Sequence, residues 1–205
     1  MNTERTNIGW GFWLAWVLAS IMGFGMGALL GMSVAYGLFD RDGFDATIGI
    51  TFGIVMGATG GFLQWVVLRE KVAQAGWWVL ASALGFAVAG GALGTIGVNG
   101  NYVTAGILFT AVFGVIAGIM QWLVLRQQVV RAGLWVLASI FGSLVSAISV
   151  PAASAINAAT DSYGLGAMVF GVLFGAGLGA IPGAALVWLL RQPQSSSVEG
   201  MATAP

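Results

Sequence analysis

Side chains that could do chemistry are few in this sequence, and their positions exclude most reactions. The chain has no histidine and no cysteine, so the commonest general base, the usual metal and haem ligands, and all thiol chemistry are missing. Its acidic and basic side chains lie in short polar segments between or beyond long apolar runs. No nucleophile has a base beside it. We therefore predict a protein that is not an enzyme and needs no cofactor or metal.

Two glutamines are the polar candidates inside the apolar runs. Gln64 and Gln121 each precede an arginine by five residues, which is about 7.5 Å along a helix. They could hold a headgroup or a solute in a polar ring, or they could make hydrogen bonds between helices. We favour the second interpretation because the third equivalent position is Leu186, which breaks a symmetric ring.

A row of serines and a proline mark the last two apolar runs. Ser139, Ser143, Ser146 and Ser149 are spaced by four and three residues, which places them on one helix face. This face could line a polar path, but serines in membrane helices usually bond a backbone carbonyl or a neighbouring helix. Pro182 is expected to kink the last helix.

The first polar loop resembles a fragment of a calcium-binding loop. It contains Asp40, Asp42 and Asp45, with Gly43 between them. It lacks the distal glutamate and the spacing of a complete site. Asp45 is also well placed to cap the following helix. We therefore favour a solvated turn.

Composition assigns the chain to the membrane. Of its 205 residues, 59% are hydrophobic and only 7% are charged, against about 25% charged in soluble domains. A net charge of zero favours no nucleic-acid partner. We predict an all-α integral membrane fold in one transmembrane domain, residues 1–191, with a disordered cytoplasmic tail, residues 192–205. Six runs are long enough to span: 8–38, 48–68, 76–98, 105–125, 133–153 and 165–190.

The distribution of basic residues predicts the orientation. Every lysine and arginine except Arg41 falls on the side of the N-terminus. The positive-inside rule then places both termini of this multi-pass protein in the cytoplasm. The nine tryptophans lie towards this same side. We interpret them as interfacial anchors.

The chain repeats itself. Residues 64–69 return at 121–126, 57 positions later, and more weakly towards Arg191, 65 positions further. Residues 16–20 return at 78–82 and at 135–139. Each unit contains two spans, so the units are parallel repeats (about 9–75, 76–132 and 133–191). We predict three helical hairpins around a pseudo-threefold axis along the membrane normal.

A ladder of small residues follows the same two offsets in the even-numbered spans. Small residues every fourth position let helix backbones approach closely, so we predict helix contacts here, with a pore lining as the alternative. The ladder glycines are Gly49, Gly53, Gly57, Gly61, Gly106, Gly114, Gly118, Gly171, Gly175, Gly179 and Gly183, with Thr110 at the remaining rung.

The motifs Gln-Trp-x-Val-Leu-Arg and Trp-Val-Leu-Ala-Ser, joined by a short loop ending Ala-Gly, occur at residues 64–82 and 121–139. They resemble a repeat found in polytopic bacterial membrane proteins, photosynthetic lineages among them, for which no activity is assigned. The resemblance covers most of residues 9–191. The resemblance implies a multi-pass protein of a bacterial inner membrane, and it assigns no functional residue.

Three functions fit these observations. We favour an accessory or scaffolding subunit, partnered by the lipid bilayer and by other membrane subunits or its own copies. The first alternative is a passive channel or facilitator for a small neutral solute. The second is a lipid- or pigment-binding protein. No aspartate, glutamate, lysine or arginine lies within a predicted span, which argues against coupled transport.

Overall fold

The computed structural model describes residues 8–39, 44–96 and 102–192, and these segments fold into helices with no strand among them. Six helical segments are long and apolar enough to cross a membrane, which confirms the all-α, six-span prediction. One segment is interrupted, so seven helices are defined. They are α1 (Trp10–Leu38), α2 (Ala46–Leu68), α3 (Trp77–Ile96), α4 (Tyr102–Leu125), α5 (Leu134–Ser146), α6 (Ser149–Thr160) and α7 (Tyr163–Leu190).

The fifth span is longer than predicted, and it is broken. We expected residues 133–153 to be followed by an irregular stretch, but α5 and α6 together continue to Thr160. The break falls at Ala147 and Ile148. Pro151 explains it, because proline has no N–H to donate to the carbonyl four residues earlier and its ring crowds that carbonyl. The chain tightens instead, and Val150 N donates to Ala147 O at 3.1 Å.

The helix ends follow local sequence rules. The Asp45 side chain accepts a hydrogen bond from Ile48 N at 2.9 Å, so the predicted N-cap of α2 is confirmed. Asp40 and Asp42, the other members of the calcium-like fragment, lie outside the described residues, as does the tail after Gln192. Pro182 lies inside α7, which remains one helix from Tyr163 to Leu190.

The spans pack as a closed ring. Each span contacts the next along the chain, from α1 to α5, and α5 and α6 both contact α7. The ring closes because α7 packs against α1. Two apolar layers fill its interior. One is rich in phenylalanine and includes Phe24, Phe86 and Phe174, and the other contains tryptophans and leucines near the loops at 69–76 and 126–133.

Candidate functional site

Three tryptophans meet at the centre of the ring. Trp16, Trp78 and Trp135 come from α1, α3 and α5, and all three are buried. Their ring centroids are 5.7, 6.1 and 5.2 Å apart, each pair edge-to-face. This arrangement suits the quadrupoles of the aromatic rings. The interpretation as interfacial anchors was therefore wrong for these three tryptophans, whereas Trp10 and Trp77 are exposed.

Gln64 connects two of the odd-numbered spans. Its amide Nε2 donates to the hydroxyl of Ser20 on α1 at 3.0 Å. Its Oε1 accepts from the indole Nε1 of Trp78 on α3, also at 3.0 Å. Gln64 is 3% exposed, so these bonds replace water for a buried amide. The side chain thus holds α1, α2 and α3 together.

Gln121 repeats this arrangement one helix pair later. Its Nε2 donates to Ser82 on α3 at 2.9 Å, and its Oε1 accepts from Trp135 Nε1 on α5 at 3.2 Å. We call these residues the central cluster. It comprises the three tryptophans, the serine four residues after each (Ser20, Ser82 and Ser139), and the two glutamines.

The third position of the central cluster is apolar. Leu186 is fully buried on α7, where the pattern of the other two pairs would place a glutamine. Such a glutamine would bond Ser139 on the preceding odd span and Trp16 on the following one. Trp16 Nε1 and Ser139 Oγ are both buried without a hydrogen-bond partner in the described part of the chain. The same substitution accounts for both unpaired atoms.

The small-residue ladder lies between consecutive helix pairs. A β-carbon on Gly57 would lie 2.6 Å from the carbonyl oxygen of Ser82 on α3, and one on Gly114 would lie 2.5 Å from Ser143 Oγ on α5. On α7, a β-carbon on Gly183 would lie 2.6 Å from Trp16 on α1. The other ladder glycines face the same neighbours, namely α3 for Gly49, Gly53 and Gly61, α5 or α6 for Gly106 and Gly118, and α1 for Gly171, Gly175 and Gly179.

The four serines of the fifth span are buried. Ser146 Oγ donates a hydrogen bond to one of two backbone carbonyls within reach, Gly142 O at 2.6 Å on its own span and Phe174 O at 3.1 Å on α7. Within the described residues, the hydroxyls of Ser139, Ser143 and Ser149 are buried without a partner. The serine row is therefore buried where the fifth span packs against α4 and α7.

At the loop end of the bundle, arginines lie against tryptophans, and one arginine joins the last span to the first. The Arg69 guanidinium lies 5.7 Å from the ring of Trp65, and that of Arg126 lies 5.3 Å from Trp122. The third equivalent arginine, Arg191, instead donates to the carbonyl of Ile8 at 2.7 Å. This bond joins the last span to the start of the first.

Sequence reasoning found the glutamines and missed their partners. The signal was present, because a serine follows a tryptophan by four residues in each of the three copies and so shares its helix face. Among the described residues, no group of three potential ligand side chains could hold a metal ion. The chain matches no protein-family model, no curated protein sequence and no solved structure.

Proposed function

We propose that this chain is a non-catalytic protein of a bacterial inner membrane that serves as an accessory or scaffolding subunit. It packs against a larger membrane complex or against further copies of itself. Its three helix pairs form parallel repeats around a pseudo-threefold axis along the membrane normal, and both termini are cytoplasmic.

Equivalent contacts within the helix pairs support the repeat arrangement. Small residues of the odd-numbered spans approach the even-numbered span of the same pair at positions that are equivalent in the three copies of the repeat. A β-carbon on the first residue of each of these pairs would lie 2.8, 2.9 and 2.8 Å from the second: Gly23 and Gly60, Gly85 and Ala117, Gly142 and Pro182. The tryptophan triangle adds a contact between equivalent residues of all three pairs.

The filled interior is the observation that carries the packing role. The tryptophan triangle occupies one level of the ring, and the rings of Phe24, Phe86, Phe113 and Phe174 pack against one another at the next. A solute moving along the axis would have to displace both layers. The two glutamines of the central cluster bond neighbouring helices, as in packed membrane bundles. This favours a packing body over a passive channel.

Three outward ridges are available for partners. Large apolar side chains are exposed at equivalent positions of α1, α3 and α5, one helical turn apart. They are Leu18, Met22 and Met26 on α1, Leu80, Leu84 and Val88 on α3, and Leu137, Phe141 and Val145 on α5. Such ridges suit lipid tails or the helices of a neighbouring subunit.

The proposal is tested by extracting the protein from its own membrane in native-lipid nanodiscs and weighing the particles by native mass spectrometry. We expect a partner protein or a fixed number of copies. Replacing Leu80, Leu84 and Val88 together by alanine should weaken an association through α3, and the matching α1 triple tests the α1 ridge in the same way. A monomer in every extract, with solute flux through the pure protein in liposomes, would replace the proposal with the channel.

A further inference from the structure

A small cavity lies at the centre of the bundle, beside the central cluster. Its volume is about 20 Å³, and its lining includes Gln64, Gln121, Ser139, Leu178 and Pro182. One water molecule needs about 10–15 Å³ on this measure of volume. The cavity therefore has room for one water molecule and for nothing much larger.

The side chains that line this cavity have unused hydrogen-bonding capacity. The hydroxyl of Ser139 is buried and unpaired within the described chain. A glutamine side chain offers two donors and two acceptor lone pairs. Gln64 and Gln121 each use one donor towards a serine and one acceptor site towards a tryptophan. Each therefore keeps one amide hydrogen and one lone pair.

Pro182 leaves the backbone carbonyl of Leu178 available as a further acceptor. Because proline has no N–H, the carbonyl of Leu178 receives no helical hydrogen bond from position 182. Leu178 and Pro182 both line the cavity. Apolar cavities stay dry, whereas a cavity with two to four polar partners holds an ordered water. This cavity belongs to the second kind.

We propose that the cavity binds one ordered water molecule, held by the Ser139 hydroxyl, the free amide groups of Gln64 and Gln121, and the Leu178 carbonyl. The water joins α2, α4, α5 and α7 at the centre of the ring. Leu186 leaves the Ser139 hydroxyl available to the water. A glutamine at that position would donate a hydrogen bond to Ser139, as Gln64 and Gln121 donate to Ser20 and Ser82. The site does not depend on what binds the outer ridges.

The direct test is an experimental structure of the full chain at a resolution that shows ordered water. We expect one density peak within hydrogen-bond distance of Ser139 Oγ and of the amide of Gln64 or Gln121. Clear density for these side chains with nothing between them would overturn the proposal. So would a neighbouring side chain that turns to fill the cavity.

A double-mutant cycle tests the same water in solution. Ser139→Ala and Gln64→Met remove two groups that do not bond each other but share the water. The midpoint of thermal unfolding should therefore fall less in the double variant than the sum of the single losses. The control pairs Ser143→Ala with Gln64→Met, because Ser143 is also buried and unpaired in the described chain but does not line the cavity. The control should be additive, and equal additivity in both cycles would contradict the water bridge.

Discussion

The indole Nε1 of Trp78 donates a hydrogen bond to the side-chain oxygen of Gln64 at 3.0 Å, and both residues are buried. This bond is the repeating link of the central cluster, and Trp16 lacks it because Leu186 takes the place of the third glutamine. A single substitution at position 186 should therefore supply the missing hydrogen-bonding side chain.

Leu186→Gln should be tolerated and should bond both Trp16 and Ser139. Interhelical hydrogen bonds in membrane proteins contribute about 0.6 kcal/mol each, so the two bonds should offset about 1 kcal/mol of the cost of burying the amide. Leu189→Gln is the control, since Leu189 is equally buried on the same helix and packs in the apolar layer. The Leu189→Gln variant should be less stable than the parent by about 1–3 kcal/mol. Unfolding in detergent measures both variants, and equal losses would show that position 186 cannot complete the cluster.

Gly57→Leu and Gly114→Leu should each destabilise the bundle by about 3 kcal/mol, the upper end for overpacked interiors. Each side chain would be forced into a backbone or serine contact of the adjacent span. Gly11→Leu is the matched control, because a β-carbon on Gly11 has no atom of the described chain within 4 Å and Gly11 is exposed on α1. It should be neutral or slightly stabilising. Thermal unfolding in detergent separates the two classes, and a stable Gly57→Leu variant would place that face towards lipid.

Gln74→Gly and Arg131→Gly should each stabilise the protein by about 0.5 kcal/mol. These residues occupy equivalent positions in the two loops and have left-handed backbones, with φ of 56° and 62°. A side chain costs about 1–2 kcal/mol in that region, and the greater freedom of glycine in the unfolded chain offsets part of the gain. Gln127→Gly, at an exposed loop position with negative φ, should instead lower the unfolding midpoint.

Single cysteines should report the proposed orientation without background, because the chain contains none. Gln127→Cys and Tyr163→Cys lie at exposed positions at opposite ends of the spans. In intact cells, an impermeant thiol reagent should label position 163 and reach position 127 only after permeabilisation. Labelling at 127 alone in intact cells would invert the topology.

Sequence by itself determined the membrane class, the six spans and the cap at Asp45. These features depend on local composition, on the length of apolar runs and on one side chain beside a helix start. The fifth span is the exception, because the sequence predicts an end at residue 153 and no break, whereas α5 and α6 continue to Thr160 with a break at Ala147 and Ile148. Pro151 removes the hydrogen bond to the carbonyl four residues earlier, so it interrupts the helix before itself and does not end the span.

Tertiary structure alone decided which residues face inwards. In a soluble helix, the apolar stripe reveals the buried side, but a span that is apolar all round has no such stripe, because lipid and protein interior are equally apolar. The sequence therefore placed Trp16, Trp78 and Trp135 near one end of their spans, and the interpretation of them as interfacial anchors was wrong because they are buried against one another. Their meeting at the axis, and the two atoms that Leu186 leaves unpaired, depend on residues far apart in the chain, which only the closed ring brings together.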